Sequence, residues 1–255
     1  MINTLLDTRT MARRSLRHIA RSPDTIITVV LTPIALLLLF VYVFGGALGQ
    51  QTGDVSYVNF LTPGIIIMTV ISGIAYAAYR LSADIQRGII NRFRTMPVAP
   101  SSILGGQAAS STLSNLFSSL LVLGVALVIG FRSSASLAEW LMFGGLVALF
   151  TLATTWMAIF FGLLAKTAEG AGSFSYILML LIFISPSFVP TASMTPVLRG
   201  FAENQPLTPI VETMRSLLVS GAAGDKAWVA LGWCVAILVV FYISSLHLYS
   251  RRSAS

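Results

Sequence analysis

Few side chains in this sequence could do catalytic chemistry. Its two histidines are His18 and His247, and its single cysteine, Cys234, lies in an apolar run. A catalytic metal ion needs an H-E-x-x-H pair or a Cys/His cluster, and the sequence contains neither. These residues therefore predict no catalytic site and no metal site, and they exclude an intramembrane metalloprotease. One cysteine also allows no intramolecular disulfide.

A phosphate-binding loop is missing as well. The motif G-x-x-x-x-G-K-[ST] cradles nucleotide phosphates, and the nearest fragments here are GAAGDK and GLLAKT. The chain is therefore predicted not to hydrolyse ATP by itself and to hold no cofactor. Any ATP, with its Mg ion, would be bound by a partner ATPase.

Six apolar runs are the elements that would position any function. Hydrophobic residues make up 56% of the chain and charged residues only 10%, against about a quarter charged in soluble domains. Hydrocarbon offers no partner for backbone N–H and C=O groups, so each run is predicted to cross the membrane as a helix. The six runs are residues 25–44, 59–79, 107–129, 140–164, 171–188 and 228–248.

The distribution of positive charge predicts the orientation. With both termini in the cytosol, the inner segments hold 12 Lys or Arg residues and the outer ones hold four, namely Arg132, Arg199, Arg215 and Lys226. Such a bias in short loops follows the positive-inside rule. The net charge of +7 is thus a topology signal, and no nucleic-acid partner is predicted.

Two segments outside the runs are predicted to touch the membrane. Residues 1–24 form an amphipathic interfacial helix on membrane lipid, with Arg9, Arg13, Arg17 and Arg21 at every fourth position beside an apolar face; a frayed basic tail is the alternative. Residues 189–227, rich in proline, form an outer hairpin of short helices that dip partway into the membrane. The remaining parts are spans 1–5 (25–188, with a cytosolic loop at 81–106) and span 6 with its tail (228–255).

Buried charge is missing from the predicted spans, apart from His247 at the end of the last one. A proton relay needs an ionisable group at membrane depth, so this argues against proton coupling, although backbone carbonyls can bind sodium. Small polar residues in the third and fourth spans fit either close helix packing or the lining of a substrate path. They are Ser110, Ser111, Thr112, Ser114, Asn115, Ser118, Ser119, Thr151, Thr154 and Thr155.

The cytosolic loop after the second span reads ADIQRGIINRFRTMPVAPSSILGGQ. An acidic residue, an Arg-Gly pair, a basic helix and a proline follow one another, and this order resembles the ABC-2 type permeases, specifically the daunorubicin/doxorubicin-resistance-like exporters of drugs and lipids. The matching residues are Asp84, Arg87, Gly88, Arg92, Arg94 and Pro97.

A second block, SPSFVPTASMTPVLRGFAENQPLTPIVETMRSLLVSG, is similar to the outer segment between the fifth and sixth spans of that family. Many family members have Asn and Pro adjacent where this chain inserts Gln205. The matching residues are Pro190, Met194, Pro196, Asn204, Pro206, Leu207, Thr208, Arg215 and Gly221.

The resemblance implies a fold, partners and a mechanism. It implies a single ABC-2 transmembrane domain over residues 1–255, two permease subunits that are identical or related, and two ATP-binding subunits. It further implies that residues 84–100 carry a coupling helix seated in a groove of the ATPase. Ile89, Ile90 and Phe93 are apolar anchors for such a groove, and residues 166–170 are the next candidate contact.

The sequence thus predicts an all-α integral membrane protein of the cytoplasmic membrane. Its predicted function is the permease subunit of an ATP-driven exporter of an amphipathic drug, lipid or lipid-linked molecule. The chain is no enzyme by itself but is part of an ATP-hydrolysing translocase. An ion-driven or passive carrier, and a membrane scaffold without transport, are the alternatives.

Overall fold

The computed structural model describes residues 27–49, 56–87 and 100–254, and within these ranges every regular element is a helix. The predicted all-α fold is therefore confirmed. The interfacial helix predicted over residues 1–24 lies outside the described residues.

The first apolar run is a helical rod, α1, built from Ile27–Leu31, Thr32–Leu39, Phe40–Phe44 and Gly45–Leu48. The remaining helices are α2 (Tyr57–Gln86), α3 (Pro100–Ile129), α4 (Leu137–Leu164), α5 (Ala168–Gly172), α6 (Phe174–Ile184), α7 (Pro196–Asn204), α8 (Leu207–Arg215) and α9 (Ala227–Ala254). A 3₁₀ turn, Thr191–Ser193, precedes α7, and a π-type turn, Ser216–Ser220, continues α8.

Among the residues that the structure describes, five stretches are long and apolar enough to cross a membrane: Val29–Ala47, Tyr57–Gln86, Leu104–Ile129, Leu137–Leu164 and Ala227–Ser250. Each coincides with a predicted span, and together they make the chain a multi-pass membrane protein. The predicted fifth span, residues 171–188, is different. Its helical part is Ala168–Ile184, divided at Ser173 into α5 and α6, and the chain turns at Ser185 before reaching Phe188.

Local sequence signals explain where several helices begin and end. Ser136 and Glu139 form a capping box at the start of α4, in which each side chain bonds the other's backbone N–H. Gly130, with φ of 125°, follows α3, and Gly221, with φ of 66°, follows the π-type turn after α8. Both positions need a backbone conformation that other residues rarely adopt.

The long helices α2 and α4 form the centre of the protein. In the most apolar 18-residue stretch, 78% of α2 and 72% of α4 is buried, against 17% for Val29–Ala47 and for Ala227–Ser250. Thr62, Thr69, Thr151 and Thr154 remain compatible with this core because each hydroxyl donates to the carbonyl four residues earlier. Helices α1 and α9, at the periphery, instead expose large apolar side chains, as lipid-facing helices do.

Candidate functional site

The end of α2 at Gln86 carries the start of the predicted coupling segment, and we call this end inner, after the predicted orientation. Asp84 lies half-buried on the last turn of α2, and Arg87 follows it, exposed. The Arg87 N–H donates to the Ala83 carbonyl at 3.1 Å, so the helical path reaches this residue. The other predicted coupling residues lie outside the described residues, and their contacts stay predictions: Gly88, Ile89, Ile90, Arg92, Phe93, Arg94 and Pro97.

Two side chains of α2 hold the loop between α4 and α5. The Ser82 hydroxyl donates to the Thr167 carbonyl at 3.3 Å, and the Gln86 amide donates to the Lys166 carbonyl at 3.1 Å. Thr167 also begins α5, because its hydroxyl accepts a bond from the Gly170 N–H at 3.1 Å. We call the bonds of Ser82 and Gln86 the inner bracket. It attaches the second candidate coupling segment, residues 166–170, to the base of the first.

Two glycines let neighbouring helices approach α2 closely beside the inner bracket. A Cβ atom on Gly162 of α4 would lie 3.1 Å from the Ala78 carbonyl oxygen. One on Gly172 of α5 would lie 3.3 Å from the Ala75 carbonyl oxygen. Larger residues at either position would have to displace the backbone of α2, so these glycines fix how near the elements lie.

Arg215, at the end of α8, joins three elements at the opposite, outer end of α2. Its Nε and one terminal nitrogen donate to the Phe60 carbonyl at 3.1 and 3.0 Å, and the same terminal nitrogen donates to the Pro186 carbonyl at 2.5 Å. The guanidinium carbon also lies 3.7 Å from the centre of the Phe60 ring, in a cation–π contact. We call this arrangement the outer clasp. It holds α2, α8 and the turn after α6 together.

The charge of Arg215 persists in this setting. Burial lowers the pKa of the guanidinium from its ordinary value to about 10, and the Glu212 carboxylate partly offsets that effect. The group therefore stays protonated at neutral pH. Glu212 itself forms an ion pair with Lys226 at 2.7 Å, which ties α8 to the start of α9.

The turn after α6 packs directly on the outer part of α2. A Cβ atom on Gly64 would lie 2.7 Å from the Cβ of Ser187 and 3.0 Å from its carbonyl oxygen. The Ser185 and Ser187 hydroxyls lie 2.6 Å apart, and Tyr57 donates to the Phe188 carbonyl at 3.3 Å. The outer clasp is thus backed by a close contact of main chains.

The loop between α3 and α4 closes the outer end from the other side. The Asn59 side chain donates to the Arg132 carbonyl at 2.8 Å and accepts from the Arg132 N–H at 3.0 Å. Ser133 donates to the Leu218 carbonyl at 2.6 Å, and Ser134 donates to the Val219 carbonyl at 2.7 Å. These hydroxyls satisfy carbonyls at the end of the turn after α8, which would otherwise lack helical partners.

The remaining hairpin residues bond within the hairpin or to α6. Asn204 donates to the Gly200 carbonyl at 2.8 Å within α7. Gln205 is extended, with φ of −79° and ψ of 154°, and donates to the Leu181 carbonyl of α6 at 2.8 Å. Leu207 and Thr208 are buried in α8, and Met194 ends the 3₁₀ turn. Helix and turn starts are marked by Pro190, Pro196 and Pro206, and the end of the turn after α8 by Gly221.

Asn115 and Thr112 of the third span lie at helix contacts. Asn115 of α3 is buried against Gly73 of α2, where a Cβ would lie 1.6 Å from the Asn115 Oδ1. Thr112 donates to Thr155 at 3.4 Å, which joins α3 to α4. Within the described part of this chain, the arrangement favours helix packing over the lining of a substrate path.

Among the predicted residues that the structure describes, Asp84 and Arg87 lie at one end of α2 and Arg215 contacts the other end. The helix has 30 residues and is therefore about 45 Å long. Within residues 27–49, 56–87 and 100–254, no three His, Cys, Asp or Glu side chains lie where they could hold a metal ion.

Sequence reasoning missed the partners that make the inner bracket and the outer clasp. Ser82, Gln86 and Thr167 are common residue types, and nothing in their spacing indicated contacts between positions 80 and 85 residues apart. Arg215 stood out in the sequence, but its acceptors are carbonyls, which any residue could supply. Gly64 was the only signal for the contact with Ser187, and glycine in an apolar helix has many uses.

Comparison with known proteins identifies relatives over almost the whole chain. The family model described as ABC-2 type transporter matches residues 7–219, which includes the loop at residues 81–106 and most of residues 189–227. The daunorubicin resistance ABC transporter permease protein DrrB1 of Streptomyces coeruleorubidus is 28% identical over 247 residues, covering 94% of this chain and 85% of the relative.

Two further relatives show the same extent of similarity. The probable doxorubicin resistance ABC transporter permease protein DrrC of Mycobacterium tuberculosis is 25% identical, and the match covers 98% of this chain and 89% of the relative. The inner membrane transport permease YadH of Escherichia coli is 24% identical and covers 86% of each. Similarity at this coverage extends to both ends of α2.

Proposed function

Because the chain belongs to the ABC-2 type transporter family and is a membrane permease subunit of an ABC exporter, we propose that it moves an amphipathic drug or lipid-like molecule outward. Membership implies an ATP-binding partner. We further propose two copies of that partner, with ATP and Mg bound there, and a second permease subunit, identical or related. The ATPase would close on ATP and shift the permease pair from an inward-facing to an outward-facing state.

One observation carries the proposal. The family match runs without a break through the loop at residues 81–106 and on through the outer hairpin to residue 219, so both groups at the ends of α2 belong to the shared region. The chain has no P-loop to supply energy itself. The names of two relatives include daunorubicin and doxorubicin resistance, so planar amphipathic drugs are the first substrates to test.

The decisive experiment is ATP-driven drug uptake into proteoliposomes. The chain is co-purified with its ATP-binding partner and reconstituted, and daunorubicin and ATP are added outside, where ATP reaches the complexes whose ATPase faces outward. We expect daunorubicin to accumulate in the lumen, this uptake to stop when the P-loop lysine of the partner is replaced, and no ATP hydrolysis by the permease alone. Transport that continues without ATP and follows an ion gradient would support the carrier alternative, and a complex that moves neither drugs nor lipids would support a scaffold.

The proposed topology has six spans, cytosolic termini and a location in the cytoplasmic membrane. Helices α5 and α6 form the fifth crossing, and α7 and α8 form an outer hairpin that enters the membrane partway. Single cysteines in a Cys234→Ser background test it with an impermeant thiol reagent outside intact cells. Thr195→Cys, in the outer hairpin, is expected to react, and Ser101→Cys, in the cytosolic loop, only after permeabilisation. Labelling of Ser101→Cys in intact cells would overturn the orientation.

A further inference from the structure

Helix α2 is attached at both of its ends to one continuous stretch of chain. This stretch, which we call the fifth segment, comprises residues 165–188: the loop after α4, α5, α6 and the turn that follows. At the inner end the attachment is the inner bracket together with the approach of Gly172 to the Ala75 carbonyl. Between the two ends, α6 also packs along α2.

At the outer end, the attachment involves the main chain of both partners. Gly64 leaves no room for a side chain between α2 and Ser187. Arg215 bonds the Phe60 carbonyl of α2 and the Pro186 carbonyl of the fifth segment with one guanidinium. Any displacement of α2 at this end therefore carries the turn at residues 185–188 with it, and the end of α8 as well.

The inner attachment depends more on hydrogen bonds. Ser82 and Gln86 are side-chain donors on α2, whereas both acceptors are main-chain carbonyls of a loop outside any helix. A bond to a carbonyl fixes the path of the loop itself rather than a rotatable side chain. Lys166 and Thr167 are exposed, so water can replace these bonds when the donors are removed.

We propose that Ser82 and Gln86 are positioning residues that make α2 and the fifth segment move as one body, so that a displacement entering at Arg87 reaches the outer clasp along both. This inference rests on the proposed function, because the displacement is the one the ATPase would apply to the loop after α2. Without the inner bracket, the push would move α2 while the fifth segment lags, and ATP would be hydrolysed without transport.

Loss of the donors tests the proposal. The variant Ser82→Ala with Gln86→Met keeps side-chain size but removes both donors. Each lost bond is worth a factor of about two to ten in the balance between arrangements, so drug moved per ATP hydrolysed is expected to fall at least about fivefold. The ATPase rate, the yield of complex and its thermal stability are expected to remain close to wild type. Ser72→Ala removes a hydroxyl donor on the same helix whose bond, to the Met68 carbonyl, stays within α2; it is the matched control and is expected to transport normally.

A reversible cross-link distinguishes one moving body from two. In a Cys234→Ser background, Ser82→Ala is combined with Gln86→Cys and Lys166→Cys, and the two thiols are joined by a short bifunctional reagent that can be reduced. Transport per ATP is expected to be low before cross-linking, to recover on cross-linking, and to fall again on reduction. If Ser82 and Gln86 had only a structural role, transport per ATP would not change when the cross-link is formed and then reduced.

Two results would overturn the inference while leaving the proposed function intact. They are unchanged transport per ATP in the donor-free variant, and a cross-link that blocks transport, which would mean that α2 and the fifth segment separate during the cycle. The wild-type complex provides the separate check on the function. Its failure to transport in an ATP-dependent way would refute the exporter itself and, with it, the relay.

Discussion

Replacing Arg215 by alanine is the most direct test of how the outer end is held. The variant removes one guanidinium that serves the carbonyls of Phe60 and Pro186 and covers the Phe60 ring. Because these groups belong to α2 and to the turn after α6, the lost contacts are ones that join different elements rather than residues of one helix. We expect a less stable protein in which α8 loosens from α2.

The size of the effect follows from the contacts. Two acceptors are served, since two of the three bonds share the Phe60 carbonyl, and a hydrogen bond to a charged donor is worth about 1.5 to 3 kcal/mol. The cation–π contact adds roughly 0.5 to 1 kcal/mol. Because Arg215 is half-buried, water can replace part of this, and we expect a net loss of about 3 to 4 kcal/mol.

Thermal unfolding in detergent measures this loss. For a chain of this size 1 kcal/mol corresponds to roughly 2 to 4 °C, so the Tm is expected to fall by about 6 to 15 °C. Arg215→Lys is expected to recover less than half, because an ammonium lacks the planar fork that serves two carbonyls and a ring together.

The matched control lies on the same hairpin. Arg199 pairs with Glu203 at 2.7 Å, but its side chain is 52% exposed, and an exposed pair four residues apart is worth only about 0.3 to 0.5 kcal/mol. Arg199→Ala should therefore lower the Tm by no more than about 2 °C. An Arg215→Ala protein that unfolds within about 3 °C of wild type would refute the reasoning.

Two further predictions concern close packing and coupling. Gly64→Ala places a Cβ 2.7 Å from that of Ser187 and is expected to lower the stability by about 1 to 3 kcal/mol, measured by thermal unfolding. Gly144→Ala, whose Cβ would have no atom within 4 Å, should be neutral or stabilising by up to about 1 kcal/mol. Equal Tm values for the two variants would contradict the close approach of Gly64 and Ser187. Phe93→Ala is expected to weaken ATPase binding about tenfold or more, because it removes roughly 1.5 to 3 kcal/mol of apolar burial, whereas Arg94→Ala should cost under about 1 kcal/mol. Immunoprecipitation of the ATPase and drug efflux measure both variants. Normal binding and efflux in a variant with alanine at Ile89, Ile90 and Phe93 would place the contact elsewhere.

The sequence alone predicted the long helices well, for physical reasons. The third and fourth predicted spans end at Ile129 and Leu164, where the helices end. Gly130, with a positive φ, follows the first helix, and Ala165, in an extended conformation, follows the second. Helix α2 continues seven residues beyond the predicted inner end, Tyr79, as far as Gln86. Charged residues there limit the apolar run but not the helix, since a helix leaving the hydrocarbon has no reason to stop.

The rest depended on contacts that composition does not encode. The division of the fifth apolar run at Ser173 is invisible to hydropathy, because residues 171–184 carry no charged side chain on either side of it. The residues of the candidate site were recognised where they resembled a family motif, as with Arg215, and missed where they are ordinary donors, as with Ser82 and Gln86. A donor's role depends on which carbonyl the fold places beside it, and that is a tertiary property.

The shortness of the fifth segment has a consequence for the lipid around it. In the proposed topology, the helices of Ala168–Ile184 amount to about 25 Å, whereas α2 and α4 are each more than 40 Å long, and a hydrocarbon layer is about 30 Å thick. In that topology we expect the bilayer beside α6 to thin, at a cost of fractions of a kcal/mol per ångström of mismatch. The length of the lipid acyl chains is therefore expected to affect this protein without any ligand. Lipids with shorter chains favour the arrangement described here, and thicker membranes, such as those rich in sterol, oppose it.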